Sequence, residues 1–202
     1  MNILVIGATG TIGQAVVAAL SPRHQVVSAS LHGKTSRVDI TDIVSLHALY
    51  GAVGPIDAVV CAAGAARFNP LAQLTDDDFA FSLRSKLMGQ VNVVRLGLDR
   101  VREGGVIVIT SGILSRAPTP GSSAISLVNG GLEAFVRAAA LEAPRGVRVN
   151  AVSPPWLSET LAKLGMDAQG GLPAASVAQA YVRAIEGTMT GQVLEPAAAP
   201  GH

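Results

Sequence analysis

Short apolar runs alternate along this chain with longer stretches in which apolar residues recur every three or four positions. The first run, Ile3-Leu-Val-Ile6, reads as a buried strand. It is followed from Thr11 by helical spacing through Ala15, Val16, Ala19 and Leu20. Gln25–Ala29 predicts a second strand and Arg37–Ile40 a short third. Thr41-Asp42 then caps a helix running through Leu46, Leu49 and Tyr50. Ile56–Cys61 predicts a fourth strand. Thr75-Asp-Asp-Asp78 is an acid-rich helix start suited to the positive end of the helix dipole. The pattern Leu83, Leu87, Val91, Val94, Leu98 predicts one long helix from about Phe79 to Val101, broken by Gly104-Gly105. A fifth strand at Val106–Thr110, a helix at Ser122–Glu142, a sixth strand at Val147–Val152, a helix at Ala175–Glu186 and a last strand at Gln192–Glu195 complete the series. Continuous apolar strands alternating with helices predict an α/β fold. Its expected form is one domain over 1–202, a doubly wound parallel sheet of about seven strands with helices on both faces.

Composition narrows the class. The formal net charge is +1 with acids and bases interspersed, which gives no footprint for nucleic acid or a membrane surface. No uninterrupted apolar run reaches the roughly 18 residues of a membrane span, and Met1-Asn2 leads directly into a strand. The single cysteine, Cys61, excludes an internal disulfide and fits a reducing compartment, so a cytoplasmic location is expected. With no basic residue beside it, Cys61 reads as a buried strand-end residue rather than a reactive thiol. His24, His32, His47 and His202 share no metal-like spacing, and no metal is expected. Only Pro196–His202 looks like a frayed, low-complexity end.

The chemistry concentrates where the first strand meets the first helix. Gly7, Gly10 and Gly13 lie at three-residue spacing between them. A strand, a glycine turn and a helix N-terminus together let backbone N–H groups face a pyrophosphate with no side chain in the way. In a doubly wound sheet the ligand crevice opens beyond the strand C-termini, where strand order reverses. Gly7–Gly13, Ala62–Gly64, Ser111 and Ser153–Thr160 all follow strand ends and are expected to converge there.

Taken in order, Gly7-Ala-Thr-Gly10-Thr-Ile-Gly13, Asp39-Ile40, Cys61-Ala-Ala-Gly64, Val106-Ile-Val-Ile-Thr-Ser111 and Arg148-Val-Asn-Ala-Val-Ser-Pro154 resemble the short-chain dehydrogenase/reductase family, over nearly the whole chain. The glycine spacing is similar to that of the family's extended and atypical branches, and the later segments to its main branch. The resemblance implies a Rossmann-type fold binding a nicotinamide cofactor. Gly7, Thr9, Gly10, Thr11, Ile12 and Gly13 would hold the pyrophosphate, and Asp39 and Ile40 the adenine. Ala62, Ala63 and Gly64 would line the ribose, and Pro154, Leu157 and Thr160 the nicotinamide. Cys61 stands where the family usually has Asn, and Pro155 where it usually has Gly. Family members commonly pair the helices equivalent to Phe79–Val101 and Ser122–Glu142, so a homodimer or homotetramer is expected.

The end of the second strand bears on cofactor choice. An NAD enzyme places an acid there for the ribose 2′-hydroxyl. Ser28-Ala-Ser30-Leu-His-Gly-Lys34 has none before Asp39. Ser30, His32 and Lys34 are instead suited to a 2′-phosphate, which favours NADP with NAD as the alternative. The catalytic pattern departs from the family. Anchored on Gly130-Gly131-Leu132, the family's Tyr position falls on Ile125 and its Lys position on Asn129. Its Asn position falls on Lys86, and Ser111 stands at or one residue before its Ser position, with Gly112 the rival. The amide and the amine are exchanged and the phenol is missing; the only tyrosines are Tyr50 and Tyr181. Two readings stand. One is an oxidoreductase acting on a small carbonyl or alcohol through Ser111, Lys86 and Asn129. The other is a catalytically silent nucleotide-binding sensor or structural protein.

Overall fold

The computed structural model describes residues 1–33 and 36–197. Six parallel strands, β1 Asn2–Ile6, β2 Gln25–Ala29, β3 Ile56–Cys61, β4 Val101–Thr110, β5 Arg148–Val152 and β6 Val193–Leu194, form one sheet in the order β2-β1-β3-β4-β5-β6. The chain leaves β1 in one direction to make β2 and returns across it to make β3. Strand order therefore reverses between β1 and β3, and the crevice opens above that point. Alternation along β1 shows why both faces are apolar. Ile3 and Val5 enter a core with Val16 and Leu20 of α1 (Thr11–Leu20) and Val177, Tyr181 and Ile185 of α7 (Ala174–Glu186). Leu4 and Ile6 enter the opposite core with Leu46 of α2 (Ile43–Ala52), Val93 of α4 (Gly89–Gly97) and Leu132 of α5 (Ser123–Glu142). By length and composition alone α5 is apolar enough to cross a membrane; its Val128, Leu132 and Val136 are buried in the fold.

Local chemistry sets the boundaries. Asp42 accepts from Val44 N–H at 2.9 Å and starts α2. Thr75 and Asp78 cap each other's backbone in a capping box that starts α3 (Asp76–Ser82). Among the described residues the sheet has six strands, against an expectation of about seven. Ser30 and Arg37 do form one parallel bridge, but Asp39 Oδ1 then accepts from both the N–H and the hydroxyl of Thr41 at 2.8 Å. That local turn draws the chain into α2 before a third ladder can grow.

The long helix also departs from the sequence reading. It ends at Gly97, and Val101 already pairs with Ile56 at the start of β4. Between α3 and α4 it runs as a π-helical segment, Leu83–Met88, in which Gly89 N–H reaches the Arg84 carbonyl five residues back. A short helix, α6 (Ser158–Lys163), follows β5.

Candidate active site

Two cavities open on either side of the β1 glycine turn. One, of about 290 Å³, is lined by Ile12, Ala62, Ala63, Gly64, Lys86, Ser111 and Asn129, with Ile113, Leu114, Ile125, Trp156 and the Pro154–Leu157 and Thr160 wall. The other, of about 260 Å³, is lined by Gly7, Ser30, Asp39, Ile40, Ala63 and Gly64 among others. Ala63 and Gly64 border both, so the cavities are two halves of one cleft. Thr9, Gly10, Thr11 and Gly13 form the turn and first helical residues between them. Gly7 adopts φ +87°, and a Cβ there would stand 2.6 Å from the Ala62 carbonyl oxygen. A Cβ on Gly13 would overlap the Gly7 carbonyl.

Lys86, Ser111 and Asn129 meet in the first cavity. The π-helical segment aims Lys86 inward, and its ammonium donates to the Ser111 carbonyl oxygen at 3.0 Å. Burial pushes that ammonium down to about 8. Gly64 makes room for the segment, since a Cβ on it would stand 2.9 Å from Lys86 Cα. Ser111 contributes its carbonyl to Lys86, while its hydroxyl is turned to buried Glu133, donating to Oε1 at 3.1 Å. Ser115 donates to the same oxygen at 2.7 Å. Above them, Gln90 and Thr110 exchange two 2.8 Å hydrogen bonds through the Gln90 amide and the Thr110 backbone, fixing the end of β4. Asn129 Nδ2 donates to the Gly112 carbonyl at 3.3 Å.

Two polar atoms in the cleft have no hydrogen-bond partner among the described residues. They are Asn129 Oδ1, on a lining residue of the first cavity that is 1% exposed, and Ser30 Oγ, on a lining residue of the second that is 4% exposed. Buried acceptors and hydroxyls without partners destabilise a fold unless a ligand satisfies them. With the glycine cradle between them, these two atoms fit the hydroxyl-rich ends of a dinucleotide.

Both tyrosines are committed elsewhere. Tyr50 donates to the Val93 carbonyl at 2.7 Å, and Tyr181 shares a 2.7 Å hydrogen bond with Thr110 Oγ1 inside the α7 core. Burial holds both phenols above their ordinary range. Ile125 lines the cavity. Cys61 is fully buried, and burial pushes its thiol up to about 12.

On the second cavity the loop reading changes. His32 is exposed, Lys34 lies outside the described residues, and a single parallel backbone bridge pairs Ser30 with Arg37, an exposed residue. Sequence reasoning missed Arg37 because it stands seven positions beyond Ser30, inside a strand that proved to be one bridge long.

The chain matches, over residues 10–191, the family model described as enoyl-(acyl carrier protein) reductase. It is 31% identical over 169 residues to L-xylulose reductase of Bos taurus, covering 75% of this chain and 69% of that one. It is 31% identical over 113 residues to 3-oxoacyl-[acyl-carrier-protein] reductase of Rattus norvegicus, covering 55% of this chain and 48% of that one. In the first of the curated relatives, the match spans somewhat under half of the relative's length. Among solved structures, protein lin1944 from Listeria innocua is 41% identical with a TM-score of 0.92, over 96% of this chain and 98% of that one. A small-chain dehydrogenase in complex with NADPH is 28% identical with a TM-score of 0.85, over 96% and 95%.

Proposed function

Since this chain belongs to the short-chain dehydrogenase/reductase family, we propose that it is an NADP-dependent oxidoreductase that reduces a small carbonyl compound, or oxidises the corresponding alcohol, with Lys86 in place of the family's phenol. The observation that carries this reading is the Lys86 ammonium, held at the Ser111 carbonyl inside the cavity that Asn129 also lines. One of its three N–H groups is used by Ser111, which leaves two for a substrate oxygen. An amine whose pKa is about 8 is still mostly protonated near neutral pH, yet releases its proton more readily than an exposed lysine. As negative charge develops on the substrate oxygen, Lys86 stabilises it and passes it a proton, and solvent reprotonates the amine. The Asn129 carbonyl would accept from a nicotinamide-ribose hydroxyl, and Ser111 acts through its backbone as the group that orients Lys86. The nicotinamide, when bound, supplies or accepts the hydride.

The preference for NADP is supported by the absence of an acid between Ser28 and Arg37, by the backbone bridge that pairs the cationic residue Arg37 with Ser30, and by the NADPH held by the similar small-chain dehydrogenase. A cytoplasmic homodimer or homotetramer is the accompanying expectation. The silent-sensor reading has two observations in its favour: Ile125 occupies the wall where a phenol would stand, and the Ser111 hydroxyl is taken by Glu133. Spectrophotometric turnover of NADPH against a panel of aldehydes, ketones and quinones separates the two. Oxidation of NADPH with any member, lost in Lys86→Ala, supports the enzyme; tight NADPH binding with no turnover across the panel supports the sensor.

A further inference from the structure

Given a dinucleotide in this cleft, as proposed above, we infer that Lys163 is a ligand of its pyrophosphate, carried by α6 across the mouth of the glycine turn. Lys163 Nζ stands 3.4 Å from Thr11 Oγ1, joining residues 152 positions apart in the sequence. Thr11 is the first residue of α1, whose N-cap is Gly10 and whose first turn holds neither a side-chain cap nor an acid. The free N–H groups there give α1 a positive end. An ammonium placed at that end meets charge of its own sign, an unfavourable pairing that an anion between the two reverses. Asn129 Oδ1 and Ser30 Oγ, both buried and without partners among the described residues, belong to lining residues of the two halves of the cleft, whose first half Ile12, the neighbour of Thr11, also lines. The diphosphate of a dinucleotide is the anionic group that lies between its two nucleoside ends.

The protein holds α6 in the position this requires. Both Glu159 oxygens accept from Ala174 N–H, at 2.9 and 3.1 Å, which caps α7 and ties the start of α6 to it. Leu161 is buried beneath. Leu157 and Leu172 form a parallel bridge, closed by Ser158 N–H to the Leu172 carbonyl at 3.1 Å and Leu172 N–H to the Trp156 carbonyl at 2.8 Å. Thr160 and Lys163, three residues apart on one face of α6, therefore look toward Ile12 and Thr11 of α1. Thr160 borders the nicotinamide-side cavity, and Lys163 reaches past it to the turn.

Lys163 is exposed, so its substitution leaves the core intact. Calorimetric titration of NADPH into the wild type, Lys163→Met and Lys163→Arg at two ionic strengths tests the assignment. The expected result is affinity weakened by about three- to ten-fold in Lys163→Met, a shallower salt dependence in that variant, and recovery in Lys163→Arg. A wild type that binds NADPH and a Lys163→Met that binds it equally well at both ionic strengths would overturn the role of Lys163 alone. A wild type that binds neither NADPH nor NADH would overturn the cofactor reading and this inference together.

Discussion

Asn129 fills the space into which a side chain at position 112 would grow. Its Nδ2 donates to the Gly112 carbonyl at 3.3 Å, and a Cβ on Gly112 would stand 2.8 Å from the same nitrogen. Glycine at one position and the amide at the other are therefore a matched pair. A side chain at 112 would require Asn129 to shift. Gly112→Ser alone should destabilise the protein by about 1–2 kcal/mol, and Asn129→Ala should restore part of that loss. Urea unfolding of both single variants and the double variant reads the coupling; additivity within about 0.3 kcal/mol would show that the two sites are independent.

Lys86 sets a trade between stability and activity. Its folded pKa, about 8, lies below the ordinary 10.5, so between those values the folded protein holds fewer protons than the unfolded chain. The burial penalty is full below about pH 8 and fades as pH rises to about 10.5. Lys86→Met should thus be the more stable protein at pH 7, by roughly 1–2 kcal/mol, and its advantage should shrink across that window. Carbonyl reduction, which needs the protonated amine, should fall above about pH 8 in the wild type and be absent in the variant. Equal stability of the two proteins at pH 7 would count against a desolvated ammonium.

The glycine turn offers one clean test and one misleading one. A Cβ on Gly13 overlaps the Gly7 carbonyl, so Gly13→Asp should disrupt the turn itself. The nearest atom to a Cβ on Gly10 is the Gly7 carbonyl oxygen at 3.4 Å, an ordinary contact. Gly10→Asp should fold, by circular dichroism, and lose nucleotide affinity, because its carboxylate repels the pyrophosphate. Wild-type affinity in folded Gly10→Asp would place the nucleotide elsewhere.

Cofactor preference should reside in Ser30 and Arg37. NADPH should bind the wild type more tightly than NADH, and Arg37→Ala should weaken NADPH alone, by about ten-fold or 1.4 kcal/mol. Ser30→Asp should invert the order, since a carboxylate repels the 2′-phosphate and accepts from the 2′-hydroxyl. A ten-fold preference of the wild type for NADH would reverse the assignment.

Association should be visible by light scattering at micromolar concentration. On the two helices expected to pair, Val91, Val94 and Val136 are buried within the chain, and Leu83, Met88, Leu127 and Leu141 are exposed. A dimer or tetramer should form, and Leu127→Asp should weaken it. A wild type that is only monomeric would end this expectation.

Much of this architecture was legible because apolar period and capping chemistry act locally. The strand at Ile3–Ile6, the Asp42 and Thr75 caps and the glycine turn each rest on residues close in sequence. Lys86, Ser111 and Asn129 fell into one cavity because strand ends and a helix face are set by the same local rules. Other features depend on distant partners. Arg37 pairs with Ser30 across a single backbone bridge seven positions away, and Lys163 reaches Thr11 only through α6, for which the apolar pattern gives no signal. Val101 was read as helix because its spacing from Leu98 suits a turn as well, and its pairing with Ile56 lies across the sheet. The hydroxyl of Ser111 turned inward because Glu133, a helix residue with no period of its own, was waiting beneath it.

The π-helical turn at Leu83–Met88 makes the site depend on counting rather than on composition. Beyond it Gln90, Val93 and Val94 pack into the fold, while within it Lys86 enters the cleft. One wide turn joins these two angular settings, so an ordinary helix through the same residues would rotate one setting by about 100° against the other. Removing a single residue there would instead let an ordinary helix keep the flanking faces in register with the core closed, and would change which side chain of the segment enters the cleft. Between otherwise similar chains, a gap of one position in this segment is therefore a sharper sign of altered chemistry than many replacements around the cavity.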